Sequence, residues 1–147
     1  WSSDVCSSDL NFTQVNRGID NALGGHGSAA SNNGLHMAER TGYTYFGFYA
    51  NDAAGSTPLS AGVWYNIAYT YNYSSKLKQI YVNGILDGSS GTVGYGGTGS
   101  NFNIGMYPWS TGHKVYGSLP YVSFYNRVLS SDEVSQNFNA YRGRYGI

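Results

Sequence analysis

Trp64-Tyr65-Asn66-Ile67-Ala68-Tyr69-Thr70-Tyr71 is followed, after a short polar break, by Leu77-Lys78-Gln79-Ile80-Tyr81-Val82-Asn83-Gly84. Side chains of a strand alternate between its two faces. Residues 63–73 therefore present Tyr65, Ile67, Tyr69 and Tyr71 on one face and Trp64, Asn66, Ala68 and Thr70 on the other. Ser74-Ser75 turns the chain back into a second strand, residues 77–82, where Leu77, Gln79 and Tyr81 alternate with Lys78, Ile80 and Val82. Asn83-Gly84 is a strong short hairpin signal, because both central residues of a tight two-residue turn need positive φ. The stretch predicts consecutive antiparallel strands.

Working outward, residues 35–39 and 43–49 read as strands, the second aromatic on both faces. Residues 88–100 read as a flexible loop, and 102–105 and 121–125 as the last strands, with Pro108 and Pro120 at strand ends. Residues 11–34 are polar, with one candidate strand at 12–16; Gly24-Gly25-His26-Gly27-Ser28 and Ser31-Asn32-Asn33-Gly34 read as loops. The sequons at Asn11 and Asn72 are read as unglycosylated. One helix is predicted after Leu129-Ser130-Ser131-Asp132-Glu133-Val134, a capping box with a hydrophobic staple between Leu129 and Val134. Val134, Phe138 and Tyr141 share its face, and Gly143 is expected to end it after Arg142.

Composition excludes several classes. The 147 residues suffice for one domain with a two-layer core. Lys plus Arg and Asp plus Glu are 8 each, so the basic surplus of an electrostatic nucleic-acid binder is missing. Only 11% of residues are charged, too few for long surface helices, while 21 Gly and 15 Tyr favour strands joined by tight turns. No apolar run approaches the ~20 residues of a membrane span, so membrane insertion is not expected.

The first ten residues, Trp1-Ser2-Ser3-Asp4-Val5-Cys6-Ser7-Ser8-Asp9-Leu10, show neither hydrophobic period nor turn logic. They match a common sequencing-library adapter read in frame, TGG AGT TCA GAC GTG TGC TCT TCC GAT CT. Residues 1–10 are therefore expected to be an artefact that adds no core strand, and residues 11–147 to be an N-terminally truncated domain. On that reading the lone Cys6 carries no chemistry, and losing Asp4 and Asp9 leaves 8 minus 6, a charge of +2.

The strand 64–71, the ending Ile80-Tyr81-Val82-Asn83-Gly84, then Ile104-Gly105, Gly117, Tyr121-Val122-Ser123-Phe124-Tyr125-Asn126-Arg127-Val128-Leu129-Ser130, Glu133-Val134 and Gln136-Asn137-Phe138-Asn139-Ala140 form an ordered set. Leu35-His36 and Phe46-Gly47-Phe48-Tyr49-Ala50-Asn51-Asp52 precede it. Together, over about residues 32–147, they resemble the laminin-G-like, concanavalin A-like jelly-roll domains of bacterial and phage surface proteins. The resemblance implies an all-β antiparallel sandwich with one short C-terminal helix, a role in binding glycans or proteins, calcium at the rim of some members, and a buried Trp64.

The same broad fold includes glucanases, which need two facing carboxyl groups. The chain has only two Glu, and Glu133 is accounted for by the cap. Glu39 could pair with Asp20, Asp52 or Asp87, but an exposed Glu39 paired with Arg40 or a lysine is the reading preferred. His26, His36 and His113 show no metal spacing, and His36 is assigned a hydrogen-bonded structural role. No Gly-x-Ser-x-Gly nucleophile elbow occurs. Asn51-Asp52 opens a Gly/Ser-rich loop, where Asp52 could ligate calcium or cap an Asx-turn. Tyr107 and Trp109 lie in an exposed loop and could form a stacking platform for sugar, or cover the sandwich end. The expected function is a non-catalytic glycan-binding or adhesion module of a larger extracellular, cell-surface or virion protein. Its expected site is Tyr107, Trp109 and Asn51, with Asp52 for a possible calcium, and its partners a surface polysaccharide and the parent's other domains. The alternatives are a purely structural decoration domain and a degenerate glycosidase.

Overall fold

The computed structural model describes residues 5–12 by their backbone, and residues 15, 17–99 and 101–147 in full. The expected strand at 12–16 falls largely outside these residues.

The strands are β1 (Val5–Phe12), β2 (Asn21–Gly27), β3 (Gly34–Arg40), β4 (Tyr43–Phe48), β5 (Asp52–Ala54), β6 (Trp64–Asn72), β7 (Leu77–Val82), β8 (Ile85–Gly91), β9 (Phe102–Ile104), β10 (Met106–Tyr107), β11 (Ser110–Lys114) and β12 (Gly117–Tyr125). Helix α1 (Ser131–Tyr141) and a 3-10 turn (Arg142–Arg144) close the chain. One five-stranded sheet has the order β12-β1-β6-β7-β8, the other β5-β4-β3-β2-β9, and every pairing is antiparallel. β10 and β11 form a separate hairpin. The chain is thus an all-β jelly-roll sandwich with one short C-terminal helix.

The core lies between the two inner faces. Tyr65, Ile67, Tyr69 and Tyr71 of β6 meet Met37, Phe46 and Phe48 of the facing sheet, with Ile80 and Val82 alongside. Their rings pack edge-on or tilted: Phe46 and Tyr69 at 5.3 Å, Phe48 and Tyr71 at 4.8 Å. The outer face of β6 is covered by the helix, where Ala68 and Tyr81 meet Leu129 and Val134. Ser130 accepts from the Glu133 amide at 3.2 Å, and the Glu133 carboxylate accepts from the Ser130 amide at 2.8 Å, so the capping box forms as read.

Several expectations fail, among them Pro120, which lies inside β12 rather than at a strand end. Val5–Phe12 is not idle: it fills the slot between β12 and β6, bonded on both sides. A ladder recognises main-chain N–H and C=O groups, which any sequence supplies, so a strand here needs no selected side chains. The glycine-rich segment Asn21–Gly27 is an inner strand rather than a loop. Trp64 is only half-buried, on the outside of its sheet against Tyr145 at 4.9 Å. Gly143 sits within the 3-10 turn, not at a left-handed cap, and Arg142 instead donates to the Ile147 carbonyl at 2.8 Å. Strand β8 also runs to Gly91, shortening the expected 88–100 loop.

Candidate functional site

β3 carries Leu35 and Met37 toward the core and His36, Ala38 and Arg40 toward the opposite, outer face of its sheet. On this outer face lies a pocket of about 420 Å³ lined by Asp20, His36, Arg40, Tyr49, Ala50, Asp52, Tyr107, Trp109 and His113.

Its floor depends on glycine. His36 pairs across the ladder with Gly25 on one side and Gly47 on the other. A Cβ at Gly25 would stand 3.1 Å from Tyr107 and Pro108 side-chain atoms, so the β10–β11 hairpin can lie directly on β2. A Cβ at Gly47 would stand 2.0 Å from Asp52 Oδ1, so the carboxylate occupies that space and reaches His36. The glycines that mimic a loop in the sequence are close-approach positions.

The walls come from two segments, the β10–β11 hairpin and the β4–β5 turn. Trp109 occupies the turn of the β10–β11 hairpin and stacks on Tyr107 at 5.0 Å and 21°. It is half-buried rather than an exposed loop residue, and it meets Tyr49 edge-on at 6.2 Å. His113 stacks on Tyr107 from β11 at 5.5 Å and shares a 2.6 Å hydrogen bond with Ser110 Oγ. Tyr49 and Ala50 form the β4–β5 turn, and both have positive φ, 58° and 62°. Two consecutive non-glycine residues in that region carry strain, and strain of this kind persists where the surrounding structure holds it.

The polar centre is Arg40. Its Nε and Nη2 donate to the two oxygens of Asp20 at 2.7 and 2.8 Å, and its Nη1 donates to Asp52 Oδ2 at 3.0 Å. Tyr107, 3% exposed, donates its hydroxyl to Asp20 Oδ2 at 2.7 Å. Burial pushes the Asp20 carboxyl upward, but the bonds from Arg40 and Tyr107 outweigh it and leave it below the ordinary aspartate value. Burial also raises Asp52, yet the neighbouring His36 and Arg40 bring it down to about 2. Burial and the Asp20 charge push the Tyr107 hydroxyl up, which keeps it a donor. His36 Nδ1 lies 3.0 Å from the Gly34 carbonyl oxygen, the structural bond expected for it. Its Nε2 lies 3.1 Å from Asp52 Oδ1, within ion-pair range, but neither buried atom makes a regularly shaped hydrogen bond.

Tyr107, Trp109 and Asp52 therefore share one pocket. Asn51 does not line it: Asn51 donates to Asn32 Oδ1 at 3.3 Å and accepts from the buried Lys78 Nζ at 3.2 Å. The calcium reading of Asp52 does not fit these surroundings, because a guanidinium and an imidazole stand where a cation would sit. Among the described residues no three His, Cys, Asp or Glu side chains gather as a metal site. Glu39 is not exposed, nor paired with Arg40: it is fully buried and accepts from the Asn21 side chain and from the Gly42 amide at 2.6 Å. Arg40, Tyr49 and His113 were not singled out from the sequence as binding residues. Only the period-two position of Arg40 beside His36 hinted at a shared face.

The family model described as the concanavalin A-like lectin/glucanases superfamily matches residues 10–135. No curated protein sequence matches the chain. Among solved structures, a candidate carbohydrate binding protein from Bacteroides ovatus ATCC 8483 is 18% identical with a TM-score of 0.74, over 92% of this chain and 40% of that one. The chain thus spans less than half of that relative. The heptameric SAP-like pentraxin of Limulus polyphemus is 16% identical with a TM-score of 0.70, over 91% of this chain and 68% of that one. The CBM40 of Ruminococcus gnavus IT-sialidase, solved with α2,3 sialyllactose, is 17% identical with a TM-score of 0.75, over 93% of this chain and 83% of that one. These likenesses share the fold.

Proposed function

The chain belongs to the concanavalin A-like lectin/glucanases superfamily, and from that premise we propose that it is a non-catalytic glycan-binding module whose site is the outer-face pocket. The observation that carries this is the meeting of an aromatic corner, Trp109 and Tyr49, with the fixed polar groups of Asp20, Arg40, Asp52 and His113 in one concavity. Sugar rings present apolar C–H faces and hydroxyl edges, and such a lining addresses both. The carbohydrate-binding names of two of the structural relatives support the same reading. We read the parent as a larger surface, extracellular or virion protein in which the module serves adhesion.

The pocket argues against hydrolysis. A glycosidase needs one carboxyl group that holds its proton near neutral pH beside one that is ionised. Asp20 and Asp52 share one guanidinium, and both are held below the ordinary value, so neither suits the acid role.

Titration of the chain against a polysaccharide panel tests the proposal. Wild type binds a panel member; Trp109→Ala and Tyr49→Ala lose that binding by a large factor while keeping the wild-type circular dichroism spectrum, and no reducing ends appear. Because Trp109 also leans on Tyr107, the more exposed Tyr49 guards against a merely structural effect. Undiminished binding by both folded variants overturns the assignment of the site.

A further inference from the structure

Arg40 is the one Lys or Arg side chain among the residues lining the pocket, and three of its five N–H donors, including its bidentate Nε–Nη2 edge, are engaged by carboxylates. Nε and Nη2 hold Asp20 as a bidentate pair, and Nη1 holds Asp52. Recognition of a carboxylate or sulfate group relies on a free fork of this kind. Lys78 is fully buried, donates to Asn51 and does not line the pocket.

The geometry points to a pocket selective for uncharged glycans: the two carboxylates accept sugar hydroxyls and repel the acidic groups of uronic, sialic or sulfated sugars. This inference rests on the glycan-binding reading above and names its ligand class. An entering anion would find the Nε–Nη2 edge of Arg40 taken by Asp20 and its Nη1 bonded to Asp52, with both carboxylates alongside. An uncharged sugar meets acceptors at Asp20 and Asp52, the His113 ring and the Trp109–Tyr49 corner without a charge mismatch.

The test uses the whole chain at pH 7.5 in two matched pairs, polygalacturonate with its methyl ester and α2,3-sialyllactose with lactose, beside neutral mannan, galactan and β-glucan. The expected result is binding to at least one neutral probe, with each acidic probe weaker than its neutral partner, or than the best neutral probe, by roughly tenfold or more. Raising salt from ~0.01 to ~1 M shortens the screening length from ~30 to ~3 Å and narrows that gap. The double variant Asp20→Asn, Asp52→Asn, if folded, narrows it too. Equal or tighter binding of an acidic probe overturns the charge inference and leaves glycan binding standing. No binding to any probe of either class overturns glycan binding itself, and the inference with it.

Discussion

Two hairpin turns in this molecule share a backbone shape and almost nothing else. Asn83–Gly84 joins β7 to β8 and Tyr49–Ala50 joins β4 to β5. All four residues have positive φ, 51° and 78° in the first turn, 58° and 62° in the second. Asn-Gly is the pair such a turn prefers; Tyr-Ala is not. At Asn83–Gly84, side-chain chemistry and conformation agree, and Asn83 ties back to β6 through bonds to the Asn66 carbonyl and amide at 2.8 and 2.9 Å. At Tyr49–Ala50 they conflict. There the turn presents Tyr49 to Trp109 and delivers Asp52 over Gly47 to His36 and Arg40. The pair teaches that a turn free of other duties takes the residues its backbone favours, whereas a turn that shapes the outer-face pocket tolerates strain.

Four experiments would break or sharpen this contrast. The largest effect is expected at Gly84→Ala. Its φ of 78° disfavours a side chain, and the new Cβ would lie 2.9 Å from Phe138 on the helix. A loss of about 2–3 kcal/mol in urea unfolding is expected, from the left-handed penalty plus overpacking; a neutral result would deny that this turn is optimised.

The converse change, Tyr49→Asn with Ala50→Gly, gives the site turn the favoured pair. It should raise stability by about 1–2 kcal/mol through relief of strain, and weaken the proposed glycan binding roughly tenfold through loss of the aromatic wall. A variant that gains stability and still binds as well would remove the functional reason for the strain.

Ser130→Ala should cost about 1 kcal/mol, the usual worth of an N-cap. It loosens the first turn of the helix whose Phe138 lies against Gly84, and it should leave ligand affinity unchanged. A shift in affinity would link the two ends of the molecule.

The smallest effect is a slope with pH. Asp52 has a folded value of about 2, against ~3.9 in an unfolded chain. Its contribution is therefore complete above about pH 4 and is lost as pH falls toward 2. Amide exchange at Phe48, which donates to the Asn51 carbonyl at 3.2 Å, should accelerate over that window. The Asn83 amide, bonded to the Asn66 carbonyl, should respond less, since no carboxylate among the described residues is bonded to that turn. Equal acceleration at both would show that acid loosens the whole sandwich instead.

Much of the fold was legible. Strand β7 falls at the predicted residues, β6 and β4 within one residue at each end, and the capping box forms as read. Of the candidate site, the sequence named Tyr107, Trp109 and Asp52 but not the pocket they share, and Asn51 lies in the turn beside it, bonded to Asn32 and Lys78. Arg40 could not be identified as the hub, because its partners lie 20 and 12 residues away.

The division follows from range. Period-two alternation, Asn83-Gly84 and Ser130-to-Glu133 express forces acting within a few residues, so the sequence alone determined strands β6 and β7, the turn that follows β7 and the helix cap. Whether Gly24-Gly25 is a loop or a strand is decided by what lies over it, and only the packed fold supplies that: Phe102 against Gly24, and the hairpin of Tyr107 and Pro108 against Gly25. Likewise Val5–Phe12 became a central strand because β6 and β12 left main-chain groups to satisfy on both sides. A glycine or a nondescript stretch has no conformation of its own to announce; its neighbours in space choose one for it.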